Sequence, residues 1–101
     1  MYLPIDETRF GALEVVGVRP STAKDGEQWK KDGVPQWDVA CTYTSRSGFA
    51  RRIYVRVAAA TAPEFTRGTK VMPVNLLARD WFKKQSGKNG VDFFADSFKA
   101  V

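Results

Sequence analysis

The sequence has no histidine and only one cysteine, Cys41, among its 101 residues. Without imidazole there is neither a neutral-pH proton shuttle nor a His-based triad. A lone thiol closes no internal disulfide and completes no zinc set, so no metal is expected. No apolar run approaches the ~20 residues that a membrane helix needs, and no membrane partner is expected. The opening Met1-Tyr-Leu-Pro-Ile-Asp-Glu7 lacks the basic stretch leading into an apolar one that marks export, which points to a cytoplasmic protein. Carboxylates are scattered without the paired spacing that suits hydrolysis, and the glycines build neither a phosphate-cradling loop nor a dinucleotide fingerprint. Neither enzymatic activity nor a cofactor is expected. Repeats, low-complexity tracts and linkers are missing too, so residues 1–101 read as one domain.

Acidic residues are also in short supply. Lysine and arginine number 16 against 11 acids, a formal charge of +5, and that balance favours polyanionic partners in a small chain. No acid occurs between Asp38 and Glu64, whereas Arg46, Arg51, Arg52 and Arg56 all fall there.

What is present is mostly alternation. Residues 9–18 (RFGALEVVGV) suit a first strand, with Leu13 and Val15 on one face and Gly11 and Gly17 permitting curvature. Residues 19–36, rich in Gly, Pro and charge, read as a long loop. Residues 36–44 put Trp37, Val39, Cys41 and Tyr43 inward and Asp38, Ala40, Thr42 and Thr44 outward, ahead of a Ser45-Arg-Ser-Gly48 turn. The return strand, residues 49–58 (FARRIYVRVA), carries the clearest signal: Ile53, Val55 and Val57 alternate with Arg52, Tyr54 and Arg56. One face is core; the other is basic and aromatic.

Thr61 or Ala62 precedes a Pro63-started helical turn ending at Gly68, room for a short helix only. Residues 69–78 (TKVMPVNLLA) form a fourth strand in which Pro73, lacking a ladder donor, indicates an edge or a bulge. Residues 79–90 read as a loop. The run 91–101 is a strand or a frayed helix, and the Asn89-Gly90 turn signal favours a hairpin. The expected fold is therefore all-β: a five-stranded OB-fold Greek-key barrel with a short helix between strands three and four.

Two blocks, Gly68-Thr-Lys-Val-Met-Pro-Val-Asn-Leu-Leu-Ala-Arg-Asp-Trp81 and Gly90-Val-Asp-Phe-Phe-Ala-Asp-Ser-Phe98, resemble the last two strands of bacterial single-stranded DNA-binding proteins. The opening Tyr2-Leu-Pro-Ile-Asp6 with Phe10, taken with the first block, also resembles small actinobacterial plasmid and integrative-element proteins of regulatory or replication type, over nearly the whole chain. The first strand departs from the former group in lacking an Asn-rich opening. These resemblances imply an OB-fold and a role in replication, recombination or transfer of a mobile element.

In such barrels the exposed face of strands two and three, flanked by loops, holds the oligonucleotide. Arg52, Tyr54 and Arg56 share that face, a ring for stacking between two guanidiniums for phosphates, with Arg51 beside them. An ordinary solvated strand face is the alternative. The segment after strand four combines Arg79, Trp81, Phe82, Lys83, Lys84 and Lys88, rings and cations interleaved as single strands require. There Trp81 either stacks on bases or closes the barrel's mouth, and Phe82 reads as the better core candidate. Trp29, Lys30 and Lys31 in the long loop form a candidate clamp; otherwise Trp29 folds back on the barrel or enters a homodimer contact. Cys41 reads as a small buried hydrophobe. The function expected is sequence-tolerant binding of single-stranded DNA, with RNA as an alternative strand and a homo-oligomer as a possible state. The rival is a protein-interaction module of a replication or excision complex, because fold alone does not separate the two.

Overall fold

Every described element is a strand: β1 (Tyr2–Pro4), β2 (Leu13–Pro20), β3 (Lys30–Lys31), β4 (Val34–Thr44), β5 (Ala50–Ala58), β6 (Lys70–Val74), β7 (Leu77–Lys83), β8 (Lys88–Phe94) and β9 (Ser97–Ala100). The computed structural model describes residues 2–5, 12–44 and 47–101, with the backbone alone at Tyr2 and Lys83. Residues 6–11, which include the start of the expected first strand and Phe10, and residues 45–46, which include Arg46, lie outside the described residues. Among the described residues there is no helix, and none long and apolar enough to cross a membrane.

The β4–β5 hairpin is the backbone of the sheet, paired antiparallel without a break from Gln36↔Ala58 to Thr44↔Ala50. Strand β2 lies on the other side of β4, with a register shift between Val15 and Gly17 that bends it. Strand β5 meets β8 in parallel at only two positions, Val55↔Phe93 and Arg56↔Phe94. The β7–β8 hairpin pairs from Leu77↔Phe94 to Lys83↔Lys88, and β1 adds to β7. Strand β6 pairs both β2 and β9. The path is thus β1-β7-β8-β5-β4-β2-β6-β9, with β3 attached to β4. Because β6 leads directly into β7, and β8 into β9, the two arms of the path are joined through the chain and the sheet curls on itself.

Both junctions sit at one level. Asn75 adopts the left-handed region at φ 54°, which asparagine tolerates, and its Nδ2 donates to Asp96 Oδ2 at 2.8 Å. The Asp96 amide donates to the Val74 carbonyl at 2.9 Å. That bond turns Val74 toward β9, so by alternation Pro73 turns its missing donor toward β2, whose described pairing with β6 reaches Leu13↔Val71. Pro73 is fully buried and pairs with Phe98 of β9 on one side; the position facing it from β2, where an edge or a bulge was expected, lies outside the described residues.

The inner surface is closed by Leu13, Val15, Val39, Cys41, Val55, Val57, Val71, Leu76 and Ala95, with Trp37, Ile53, Phe65, Phe93 and Phe98 packed against them. Each fully buried valine or leucine contributes ~1.5–3 kcal/mol relative to exposure. Burial pushes the Cys41 thiol up to about 11, so it stays protonated and inert near neutrality.

Three expectations are corrected. The helix at Pro63 does not form. Residues 59–66 run irregularly, and the next backbone groups bond to β2, Gly68 N donating to Val15 O at 2.8 Å and Val15 N to Thr69 O at 2.9 Å. A segment this short gains too little to nucleate a helix, and what anchors it is Phe65, edge-on to Phe98 with ring centres 5.7 Å apart. The long loop is a folded arm: Trp29 N donates to Ser21 O at 2.7 Å, Gln36 N to Trp29 O at 2.8 Å, and β3 turns into β4 through Asp32 and Gly33, both at positive φ. That is the two-residue Asp-Gly hairpin. The expected loop 79–90 is largely strand, its turn lying at residues 84–87, while Asn89 and Gly90 belong to β8.

Gly90 is needed for a different reason. It pairs with Trp81 across the hairpin, and a Cβ there would lie 2.6 Å from Trp81 Cζ2. The indole lies over bare backbone, as aromatic residues commonly cover strand glycines. Gly90→Ala therefore forces the ring aside and lowers stability by ~1–3 kcal/mol, the usual cost of overpacking. Urea unfolding followed by tryptophan emission checks this, and an unchanged midpoint contradicts the packing.

Candidate nucleic-acid interface

With Ile53, Val55 and Val57 facing the core, strand geometry sends Arg52, Tyr54 and Arg56 outward. Register then extends the outward face across the sheet: Arg19 on β2 opposes Asp38 on β4, Asp38 opposes Arg56 on β5, Arg56 adjoins Phe94 on β8, and Phe94 opposes Leu77 on β7.

The contacts along this row alternate guanidinium with ring or carboxylate. Arg19 lies over the Tyr54 ring at 4.6 Å and pairs with Asp38 at 3.7 Å. Arg56 Nε donates to Asp38 Oδ1 at 3.4 Å while its guanidinium lies 5.5 Å from the centre of Phe94. Arg79 approaches the same ring at 5.4 Å, and its Nη2 donates to Asp92 Oδ2 at 3.4 Å. Surface ion pairs are worth ~0–1 kcal/mol and exposed cation–π contacts ~0.5–1. The Arg79–Asp92 pair is of that exposed kind, whereas Arg56 and Asp38 are only 24% and 14% exposed.

Among the clefts on this face, two gather most of its cations. Beyond their two paired positions β5 and β8 are no longer bonded, leaving a cleft of about 350 Å³ whose lining includes Arg19, Asp38, Arg52, Tyr54 and Asp92. A second, of about 600 Å³, lies under the folded arm and includes Trp29, Lys30, Lys31, Arg79 and Phe94. Arg56 lines both. Trp29 is 49% exposed and Tyr54 41%, so each presents ring surface to solvent. Six cations (Arg19, Lys30, Lys31, Arg52, Arg56, Arg79) face two carboxylates, Asp38 and Asp92.

Of the residues singled out from sequence, Arg52, Tyr54, Arg56, Trp29, Lys30 and Lys31 therefore come together, the last three carried in by the arm. Arg51 has the parity of Ile53 and pairs with Tyr43, on the opposite face of β5. Trp81 shares the parity of Leu77 and Arg79 but lies half-buried over Gly90, toward the hairpin end. Lys84 is exposed in the turn; Lys83 pairs with Lys88, and its side chain lies outside the described residues. Neither lines the two clefts. Phe82, read as the better core candidate, is 63% exposed. Trp37 packs against the core and donates from Nε1 to Ala59 O at 2.9 Å.

The site residues missed are Arg19, Phe94 and Asp38. A signal existed for Phe94: adjacent Phe93 and Phe94 in a strand must face opposite sides, so one ring must point out. Asp38 was legible as outward-facing but had no visible partner, and Arg19 fell in the assumed loop.

Chemically the face offers planar cations, exposed rings and hydrogen-bond acceptors, and neither cleft is lined by a Ser, Thr or Cys nucleophile. Comparison with known proteins finds no matching family, no matching curated protein and no matching solved structure.

Trp29 is the one exposed tryptophan among the three, Trp37 and Trp81 being half-buried. Trp29→Phe should therefore shift the remaining emission to the blue and reduce quenching by acrylamide. Unchanged quenching contradicts the position of the arm.

Proposed function

We propose that this chain is an OB-type barrel that binds single-stranded DNA with little sequence preference. Bases stack on Tyr54, Trp29 and Phe94, and phosphates are met by Arg19, Arg52, Arg56, Arg79, Lys30 and Lys31. The observation that carries the reading is that half-exposed rings and most of these cations share one face and line two of its clefts. Stacking on aromatic side chains together with a cationic track is how sequence-tolerant binders hold unpaired strands, since every base has a π-face.

The pairing order supports the OB reading. Taken as single bent strands, β8 with β9 and β6 with β7 complete a cycle: β2, β4, β5, β8–β9, β6–β7 and back to β2, with the parallel contact between β5 and β8–β9, the third and fifth of these strands in chain order. Strands two and three of that cycle, β4 and β5, then carry the row described above, which is where such barrels bind oligonucleotides. The missing helix is a departure from the expected form. The resemblance to mobile-element proteins suggests replication, recombination or transfer as the setting.

The rival is a protein-interaction module, and its specific support is exposed apolar surface away from both clefts, Phe82 at 63% on the β7–β8 hairpin. Such a module leaves oligothymidine unbound.

If about four phosphates are neutralised, log affinity for oligothymidine falls with log salt at a slope near −3, from ~0.7 per phosphate. Tyr54→Ala weakens binding by ~1–3 kcal/mol, and Arg52→Ala also reduces the slope. Fluorescence titrations across a salt series measure both. A salt-independent affinity, or folded variants with unchanged titrations, overturns the reading.

A further inference from the structure

We propose that the cleft between β5 and β8 reads one base, guanine, through the Asp38 carboxylate. The proposal rests on the single-strand reading above and adds one selective position to an otherwise tolerant track.

The starting observation is an acid where an acid is least useful. Asp38 stands mid-row between two arginines on a face suited to phosphates, its side chain 14% exposed. A carboxylate there repels phosphate and engages two of the cations. It also has capacity to spare. A carboxylate accepts at about four lone-pair sites. Among the described residues Asp38 accepts one hydrogen bond, the 3.4 Å contact from Arg56, and the 3.7 Å Arg19 approach is an ion pair. The other carboxylate of the cleft, Asp92, pairs with Arg79 on the β7–β8 hairpin, whereas Asp38 stands on β4 diagonal to the Tyr54 ring on which a base would stack.

A forked acceptor beside a stacking ring selects by donor pattern. Guanine presents two adjacent donors on its pairing edge, the N1 and N2 hydrogens, which match the two carboxylate oxygens. Thymine offers one N–H between two carbonyls that a carboxylate repels. Adenine and cytosine each set an acceptor next to the amino group. The remaining edge of guanine, O6 and N7, is the pattern that arginine recognises in a bidentate manner, and exposed Arg52 lines the same cleft. Tyr54 supplies ring surface, and about 350 Å³ lies in the size range of small-ligand pockets, ~300–1,000 Å³.

The test uses the full chain and fluorescence anisotropy with labelled oligothymidine of one length, carrying a single central thymine, guanine, inosine, adenine or cytosine. Guanine should bind about tenfold tighter than thymine, as one good base-edge contact allows. Inosine, which lacks only the N2 amino group, should lose most of that gain, and this comparison needs no protein variant. Asp38→Asn, close in shape, should abolish the guanine preference, read as the ratio of guanine-strand to thymine-strand affinity within that variant. Equal affinity for all five strands overturns the proposal and leaves the strand reading standing. So does a guanine preference that survives in Asp38→Asn, or a uniform loss across strands in that variant, which marks Asp38 as a positioning residue for its arginines. Free dGMP competing as well as the guanine strand also overturns it, because the cleft is then a nucleotide pocket. Failure of every strand to bind at low salt overturns the strand reading itself.

Discussion

Strand β5 must bury Ile53, Val55 and Val57 to complete the core, and the twofold period of a strand then leaves Arg52, Tyr54 and Arg56 nowhere to go but outward. A one-residue slip against β4 would bury three polar groups, two of them cations, and expose three aliphatic ones. Register is thus strongly held in the middle of the sheet. Unbroken pairing with β4 propagates it, placing Asp38 opposite Arg56 and, through β2, Arg19 opposite Asp38. The short parallel contact with β8 adds Phe94 and, by ceasing after two positions, opens the cleft beside Tyr54.

The core is rigidly specified, but the face above it is held by weak forces. Its contacts are cation–π approaches of 4.6–5.5 Å and ion pairs of 3.4–3.7 Å, several of them solvent-exposed. Such contacts order the side chains without committing them. Guanidiniums preplaced beside rings lose little freedom when a base replaces one neighbour and a phosphate another. Asp38 and Asp92 keep the arginines of this face from repelling one another.

Legibility in the sequence tracked the length of uninterrupted alternation. The hairpin of β4 and β5 was readable because nine or more residues alternate on each side of a turn, and the inward and outward sets followed directly. The arm was not, although Asp32-Gly33 is a strong hairpin signal, because the strand ahead of it is only Lys30–Lys31 and has no pattern of its own. Asn89-Gly90 misled for the opposite reason: a turn dipeptide sat inside a strand because Trp81 requires a glycine opposite. The Pro63 segment carries helix punctuation at both ends, yet only Phe65 anchors it among the core-packed residues, and tertiary bonds to β2 decide its path. Of the site, the β5 row was visible. The partners that complete it, Arg19 and Phe94, depend on which strands neighbour β5, and register between distant strands is not written in any one of them.

The central claim is spatial: an unpaired strand lies across the outward face of β5 and its neighbours. Amide chemical-shift mapping of the labelled protein with oligothymidine tests it most directly. The largest changes are expected at residues 30–31, 52–56 and 92–94, with Leu13 and Glu14 at the opposite end of β2 from Arg19, and their partners Val71 and Lys70, unaffected. Changes confined to that opposite end, or none at saturating oligonucleotide and low salt, would contradict the account.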